Sequence, residues 1–99
     1  MELIDKNIDE ITDLCRKNKV AVLYTFGSVN TDKFTSESDI DFIVDFDSDD
    51  PIEYSDYYFN LKFALQKLFK RSIDLLEMKA LTNPYLKDHI DKSKVLIYG

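Results

Sequence analysis

Apolar residues recur along the chain at two alternating spacings, either three to four residues or two residues. In residues 1–17 the apolar positions follow the helical spacing, which predicts one amphipathic helix that ends near Asn18. Val20–Phe26 is rich in β-branched and aromatic residues and predicts a strand buried on both faces. Gly27 and Ser28 break this strand, and the polar residues 29–38 are expected to hold a turn or a short helix.

A second strand is predicted over residues 39–46, where polar and apolar residues alternate. Because successive side chains of a strand point to opposite faces, one face is expected to be apolar and the other largely acidic. The apolar face comprises Ile40, Phe42, Val44 and Phe46, and the other face carries Asp39, Asp41, Ile43 and Asp45.

The second half of the chain continues the alternation of elements. Residues 47–51 are mostly small and polar and end in Pro, which predicts a loop, and residues 54–69 repeat at helical spacing. Residues 72–77 predict a third strand, and Asn83 followed by Pro84 is expected to open another helix. That helix is expected to bury Tyr85, Leu86 and Ile90, and Val95–Tyr98 predicts a last short strand.

Length and pattern together predict a single domain that covers residues 1–99. Alternating helices and strands indicate an α/β or α+β fold, in which a small mixed sheet of three or four strands is flanked by helices. Hydrophobic residues make up 44% of the chain and charged residues 32%, a balance that is typical of a folded globular protein and excludes a disordered one.

The charge balance narrows the classes of partner. Thirteen Lys and Arg against nineteen Asp and Glu give a formal net charge of −6, which argues against direct nucleic-acid binding. No apolar run reaches the roughly 18 residues that a membrane span needs, and the acidic N-terminus lacks the features of a signal peptide. Cys15, the single cysteine, cannot form an intrachain disulfide and is expected to be a buried hydrophobe. We therefore expect a cytoplasmic protein without a membrane partner.

Three aspartates occupy strand positions where an apolar or neutral residue is usual, namely Asp39 and Asp41 in the second strand and Asp74 in the third. Carboxylates in adjacent strands are costly to bury and repel one another. A divalent cation would offset both effects, and oxygen ligands suit Mg²⁺ or Mn²⁺ better than zinc. Since protein-bound Mg²⁺ usually keeps places for water and substrate phosphates, these acids point to nucleotide chemistry. Gly27 would let the backbone approach a phosphate, and Ser28 offers a hydroxyl and an amide donor.

Three short motifs follow one another along the chain: Gly27-Ser28, then Ser38-Asp39-Ile40-Asp41-Phe42, then Ile73-Asp74-Leu75-Leu76. In this order they resemble the signature of the DNA polymerase beta superfamily of nucleotidyltransferases, and in particular its small members called minimal nucleotidyltransferases. The tail, residues 81–86 through Val95–Tyr98, also resembles the end of these proteins. The resemblance covers nearly the whole chain and implies the nucleotidyltransferase fold.

The resemblance also implies a role for each motif residue. Asp39 and Asp41 would ligate two Mg²⁺ ions that bind the triphosphate of ATP, with Mn²⁺ as a substitute metal. Asp74 would ligate the metal next to the attacking group and help to take its proton, and Gly27 and Ser28 would hold the β and γ phosphates. The implied reaction transfers AMP from ATP to an acceptor hydroxyl, and pyrophosphate leaves.

A chain of this length has little room to bind an acceptor, so the acceptor is expected to be carried by another protein. Minimal nucleotidyltransferases are often paired with a HEPN-domain toxin, which implies an antitoxin that places AMP on its toxin. Two alternatives remain. Residues 29–32 read Val-Asn-Thr-Asp where many relatives carry Arg, which favours an antitoxin that acts by binding alone. The other alternative is a nucleotidyltransferase for a small molecule. Nucleotide preference, the number of AMP units and self-association stay open.

Overall fold

The computed structural model describes residues 2–27 and 38–99, which form a mixed sheet with helices on both faces. Its helices are α1 (Glu2–Lys6), α2 (Ile8–Lys17), α3 (Pro51–Phe69) and α4 (Pro84–Ser93), and a 3₁₀ turn spans Met78–Ala80. Its strands are β1 (Val20–Phe26), β2 (Ile40–Phe46), β3 (Ile73–Glu77) and β4 (Val95–Tyr98). They pair in the order β3-β2-β1-β4, with β2 and β3 parallel and the other pairs antiparallel. The predicted fold class is confirmed. No described helix is both long and apolar enough to cross a membrane.

The predicted bounds are close for the strands and wrong for the first helix. β1 and β4 have the predicted bounds, and β2 and β3 each begin one residue later. The single helix expected in residues 1–17 is two helices, because Asn7 interrupts it. The Asn7 amide donates to the Ile4 carbonyl and its side chain donates to the Leu3 carbonyl, local bonds that compete with the regular helical pattern. A turn or short helix was expected within residues 29–38. Residues 29–37 of this segment lie outside the described part of the chain.

One face of the sheet packs against α1, α2 and α3 and forms the larger core cluster. The alternation in β2 dictates this face, since all four residues predicted to be apolar are buried there. The helices contribute apolar residues at helical spacing, including Cys15, which is fully buried as predicted. The cluster comprises Ile4, Ile11, Cys15, Val20, Leu23, Ile40, Phe42, Val44, Phe46, Leu61, Leu65, Phe69, Ile73 and Leu75.

The opposite face of the sheet is covered by α4 through one buried residue. Ile90 packs against Phe26 and Ile43 and is 1% exposed. The expectation that this helix also buries Tyr85 and Leu86 is wrong, because these side chains are 86% and 42% exposed. Ile90 is the one buried residue of α4, so the helix meets the sheet through its second half and its first turn lies outside the contact.

Asp50 fixes the start of α3, one turn earlier than the apolar repeat predicts. Its side chain accepts hydrogen bonds from the amides of Ile52 (2.9 Å) and Glu53 (3.5 Å), and Pro51 occupies the first helical position. We expect Asp50→Ala to lower the free energy of unfolding by about 1 kcal/mol, the usual contribution of such a cap. Urea denaturation would measure this loss. Asp50→Asn, which keeps the accepting oxygen, is the control, and an Ala variant as stable as the Asn variant would contradict the capping role.

Candidate active site

The parallel pairing of β2 with β3 brings two of the predicted aspartates side by side. Asp41 of β2 lies opposite Asp74 of β3 in the register of the sheet. The Ile40 amide donates to the Ser72 carbonyl at 3.2 Å and sets this register at the beginning of both strands. Neighbouring strands are about 4.8 Å apart, so two carboxylates at paired positions of one face lie within short range of each other. Asp39 precedes β2 by one residue.

The charges of these aspartates act on one another. The pKa of Asp41 is raised, first by burial and then by the negative charges of Asp74 and Asp39. Both causes disfavour the charged carboxylate. A bound cation has the opposite effect and would favour the ionised form of all three side chains.

Gly27 closes the site from the β1 side. Phe26, the last residue of β1, pairs with Asp41, and Gly27 follows with a φ of +79°. A Cβ atom built on Gly27 would lie 2.5 Å from Oδ2 of Asp41. The carboxylate of Asp41 therefore rests on the bare backbone of Gly27, where no side chain fits. Ser28, its predicted companion in phosphate binding, lies outside the described residues, so its role stays a prediction.

Two residues outside the predicted set contact the backbone around the aspartates. Thr25 is fully buried, and its hydroxyl donates a 2.9 Å hydrogen bond to the Asp41 carbonyl. Arg71 donates from Nη1 to the Ser38 carbonyl at 3.1 Å. The sequence did carry a signal for Thr25, because it is a hydroxyl residue in an otherwise apolar strand. Arg71 carries no such signal, because a basic residue just after a helix is common whatever its other contacts.

The donor chemistry of the three aspartates fits a hard divalent cation, since all of the available ligands are carboxylate oxygens. The backbone of Gly27 lies directly against one of these carboxylates, since a Cβ atom built there would be 2.5 Å from Oδ2 of Asp41. Within residues 2–27 and 38–99, however, no group of three or more His, Cys, Asp or Glu side chains is already placed to hold a metal ion. Asp41 and Asp74 are thus brought together, while ligation by all three aspartates stays a prediction.

Comparison with known proteins decides the family. The sequence model of the family described as "Polymerase beta, Nucleotidyltransferase" matches residues 9–99. The chain belongs to the polymerase beta nucleotidyltransferase family. The resemblance seen in the three motifs is confirmed, and the chain is an enzyme of the nucleotidyltransferase class.

Relatives of this nucleotidyltransferase come from sequence and from structure comparison. The protein MJ1379 of Methanocaldococcus jannaschii, named a candidate protein adenylyltransferase, is 31% identical over an alignment of 100 positions, and the match covers 93% of this chain and 99% of the relative. A toxin–antitoxin complex crystallised with AMP-PNP contains a chain with a TM-score of 0.73 and 24% identity, covering 94% of this chain and 73% of its own length.

A second solved structure of similar fold is a complex of a tri-AMPylated Shewanella oneidensis HEPN toxin with an MNT antitoxin. The matched chain has a TM-score of 0.61 and 23% identity, and the match covers 96% of this nucleotidyltransferase and 71% of that chain. At such identities the two structural matches show a common fold.

Proposed function

We propose that this nucleotidyltransferase transfers AMP from ATP to a hydroxyl on a partner protein in the presence of Mg²⁺. The observation that carries the proposal is the pairing of Asp41 with Asp74 on neighbouring strands, next to the bare backbone of Gly27. This arrangement offers oxygen ligands beside a surface that a phosphate can approach closely. Mg²⁺, when bound, would neutralise charge on the triphosphate and on the entering and leaving oxygens.

The residues of the chain have distinct roles in the proposed reaction. Asp39 and Asp41 hold the metal-bound triphosphate, and Gly27 and Ser28 bind its β and γ phosphates through backbone amides and the serine hydroxyl. The acceptor hydroxyl attacks the α phosphorus in line, and Asp74 helps to take its proton. A new oxygen–phosphorus bond joins AMP to the acceptor, and the bond to the leaving pyrophosphate breaks. No covalent intermediate with the chain is needed.

The proposed acceptor is a HEPN-domain toxin, and this chain is its antitoxin. Three observations support the assignment. A relative that covers nearly the whole chain is named a candidate protein adenylyltransferase, and proteins of the same fold occur in toxin–antitoxin complexes, one of them with an AMPylated HEPN toxin. The acidic net charge of −6 also suits contact with a basic surface on a partner protein.

The proposed transfer can be tested by intact-mass analysis. The purified chain is incubated with labelled ATP and Mg²⁺, with and without the protein encoded next to it. We expect the neighbouring protein to gain one or more AMP units, and Asp39→Asn to abolish the gain. A stable complex in which neither chain gains AMP would count against the proposal.

A second candidate function is neutralisation of a toxin by binding alone. It is favoured by the run Val-Asn-Thr-Asp at residues 29–32, which supplies no positive charge for a triphosphate directly after Ser28. The double variant Asp39→Asn, Asp41→Asn separates the two candidates. A variant that still neutralises the toxin would act without metal-held ATP and would establish the binding function.

A further inference from the structure

Arg71 reaches from the β3 side of the site to the residue that precedes Asp39. Its Nη1 atom donates a partly buried hydrogen bond of 3.1 Å to the carbonyl of Ser38, 33 residues away in the sequence. A charged donor makes a stronger hydrogen bond than a neutral one. We propose that Arg71 is a positioning residue that fixes Asp39 at the active site, an inference that rests on the proposed function.

Asp39 needs such a contact more than Asp41 does. Asp41 lies within β2, paired with a residue of each neighbouring strand, and its carbonyl accepts a hydrogen bond from buried Thr25. Asp39 lies outside β2, and hydrogen bonds between described residues hold the backbone on either side of it. The first is the bond from the Ile40 amide to the Ser72 carbonyl, and the second is the bond from Arg71 to Ser38. Loss of the hydrogen bond from Arg71 is therefore expected to displace Asp39 more than Asp41.

A left-handed turn at the end of α3 leads directly into Arg71. Lys70, the preceding residue, ends α3 in the left-handed region with a φ of +55°, and its amide donates to the Gln66 carbonyl at 2.8 Å. Arg71 follows this turn directly and points back to the start of β2. Its planar guanidinium presents several donors in a fixed geometry, whereas lysine presents a compact ammonium on a flexible stem. Lysine therefore keeps the charge and holds the carbonyl less firmly.

The positive charge of Arg71 and its hydrogen bond to Ser38 are expected to affect metal binding in opposite directions. A nearby positive charge repels a divalent cation, so loss of charge alone would tighten binding. Loss of positioning would move Asp39 away from its place and weaken binding. Arg71→Met removes both, and the sign of the change shows which effect is larger.

The experiment measures the dissociation constant of Mn²⁺ for the full chain by the electron paramagnetic resonance signal of the free ion. We expect Arg71→Met to weaken binding about five- to tenfold, the factor that corresponds to roughly one net hydrogen bond, and Arg71→Lys to be intermediate. Arg16, the other arginine, is exposed on α2, and Arg16→Ala should bind Mn²⁺ as the unmodified chain does. Hydrogen exchange should show faster exchange of the Ile40 amide in Arg71→Met and an unchanged rate for Val44.

Each result leads to a definite conclusion. Unchanged or tighter Mn²⁺ binding by both Arg71→Met and Arg71→Lys would overturn the positioning role and leave the proposed function intact, because Arg71→Lys keeps the positive charge. If Arg71→Met does not fold, Arg71→Lys decides the matter, and affinity equal to that of the unmodified chain would overturn the proposal. If the unmodified chain binds no Mn²⁺ and transfers no AMP, the proposed function fails and the positioning role fails with it, whereas AMP transfer without Mn²⁺ binding would overturn the positioning role alone.

Discussion

Asp41→Asn is expected to lower AMP transfer at least about 100-fold, the loss typical of removing one group that stabilises charge in a transition state. Asp41 lies opposite Asp74 in the sheet, and its carboxylate lies against the backbone of Gly27, so the substitution removes a proposed metal ligand at the centre of the candidate site. Radiolabelled AMP transfer to the partner protein would measure the effect. The matched control is Asp45→Asn, on the same face of β2 but farther from Asp74. Equal losses in both variants would contradict the assignment.

The same variant is expected to be at least as stable as the unmodified chain when no metal is present. Because the folded chain raises the pKa of Asp41, the stabilising contribution of its protonated form is complete below the unfolded pKa and is lost as pH rises through the folded pKa. The ionised carboxylate therefore lowers stability at neutral pH. Thermal melts at several pH values in EDTA should show the stability advantage of Asp41→Asn at neutral pH and its decrease in acid. A large loss of stability at neutral pH would instead show that Asp41 anchors a structural network.

Gly27→Ala is expected to reduce both activity and stability. The new methyl group would lie 2.5 Å from Oδ2 of Asp41, and the backbone at φ +79° disfavours any residue with a Cβ. Left-handed backbone costs a residue with a side chain about 1–2 kcal/mol. Displacement of the Asp41 carboxylate by about 1 Å can lower the rate about 100-fold. Initial rates of AMP transfer and urea denaturation would measure the two losses separately.

Gly99, the other glycine of the chain, is the control for this variant. It also has a positive φ, of +131°, but it is the last residue and its Cβ would meet Val22 and Ala21 instead of the aspartates. Gly99→Ala should transfer AMP at the unmodified rate. Full activity of Gly27→Ala would show that the site tolerates a side chain at this position, and that the close approach to Asp41 is not needed for the reaction.

The strands were predicted well because the alternation or run of apolar residues that identifies a strand lies within the strand itself. The period of two in residues 39–46 identified the buried face of β2 and placed Asp41 on the opposite face. The same kind of rule failed for Tyr85 and Leu86, since helical spacing shows which residues share a face but not whether another element lies against that face. The order of the strands and the pairing of Asp41 with Asp74 depend on contacts between distant segments, which local periodicity does not contain.

The composition of the candidate site was predictable from the sequence only in part, for the same physical reason. The three aspartates and Gly27 stand out as candidates because each departs from its local surroundings: a charge in a strand, or a glycine at a strand end. Arg71 gave no such sign, because lysine and arginine are ordinary at the end of a helix. Its contact with Ser38 joins residues that are far apart in the sequence, and it appears only when the strands are assembled.

Because Cys15 is buried, the reactivity of its thiol can be used to measure unfolding of the chain. The thiol is fully covered on α2 and burial raises its pKa to about 12, so a thiol reagent meets an unreactive sulfur until the core opens. The labelling rate then follows the fraction of molecules that unfold. A ligand that binds the folded chain lowers that fraction by the factor 1 + [L]/Kd. Binding of a nucleotide, a metal ion or a partner can therefore be measured as slower labelling of Cys15 by a thiol reagent, without engineering a labelling site.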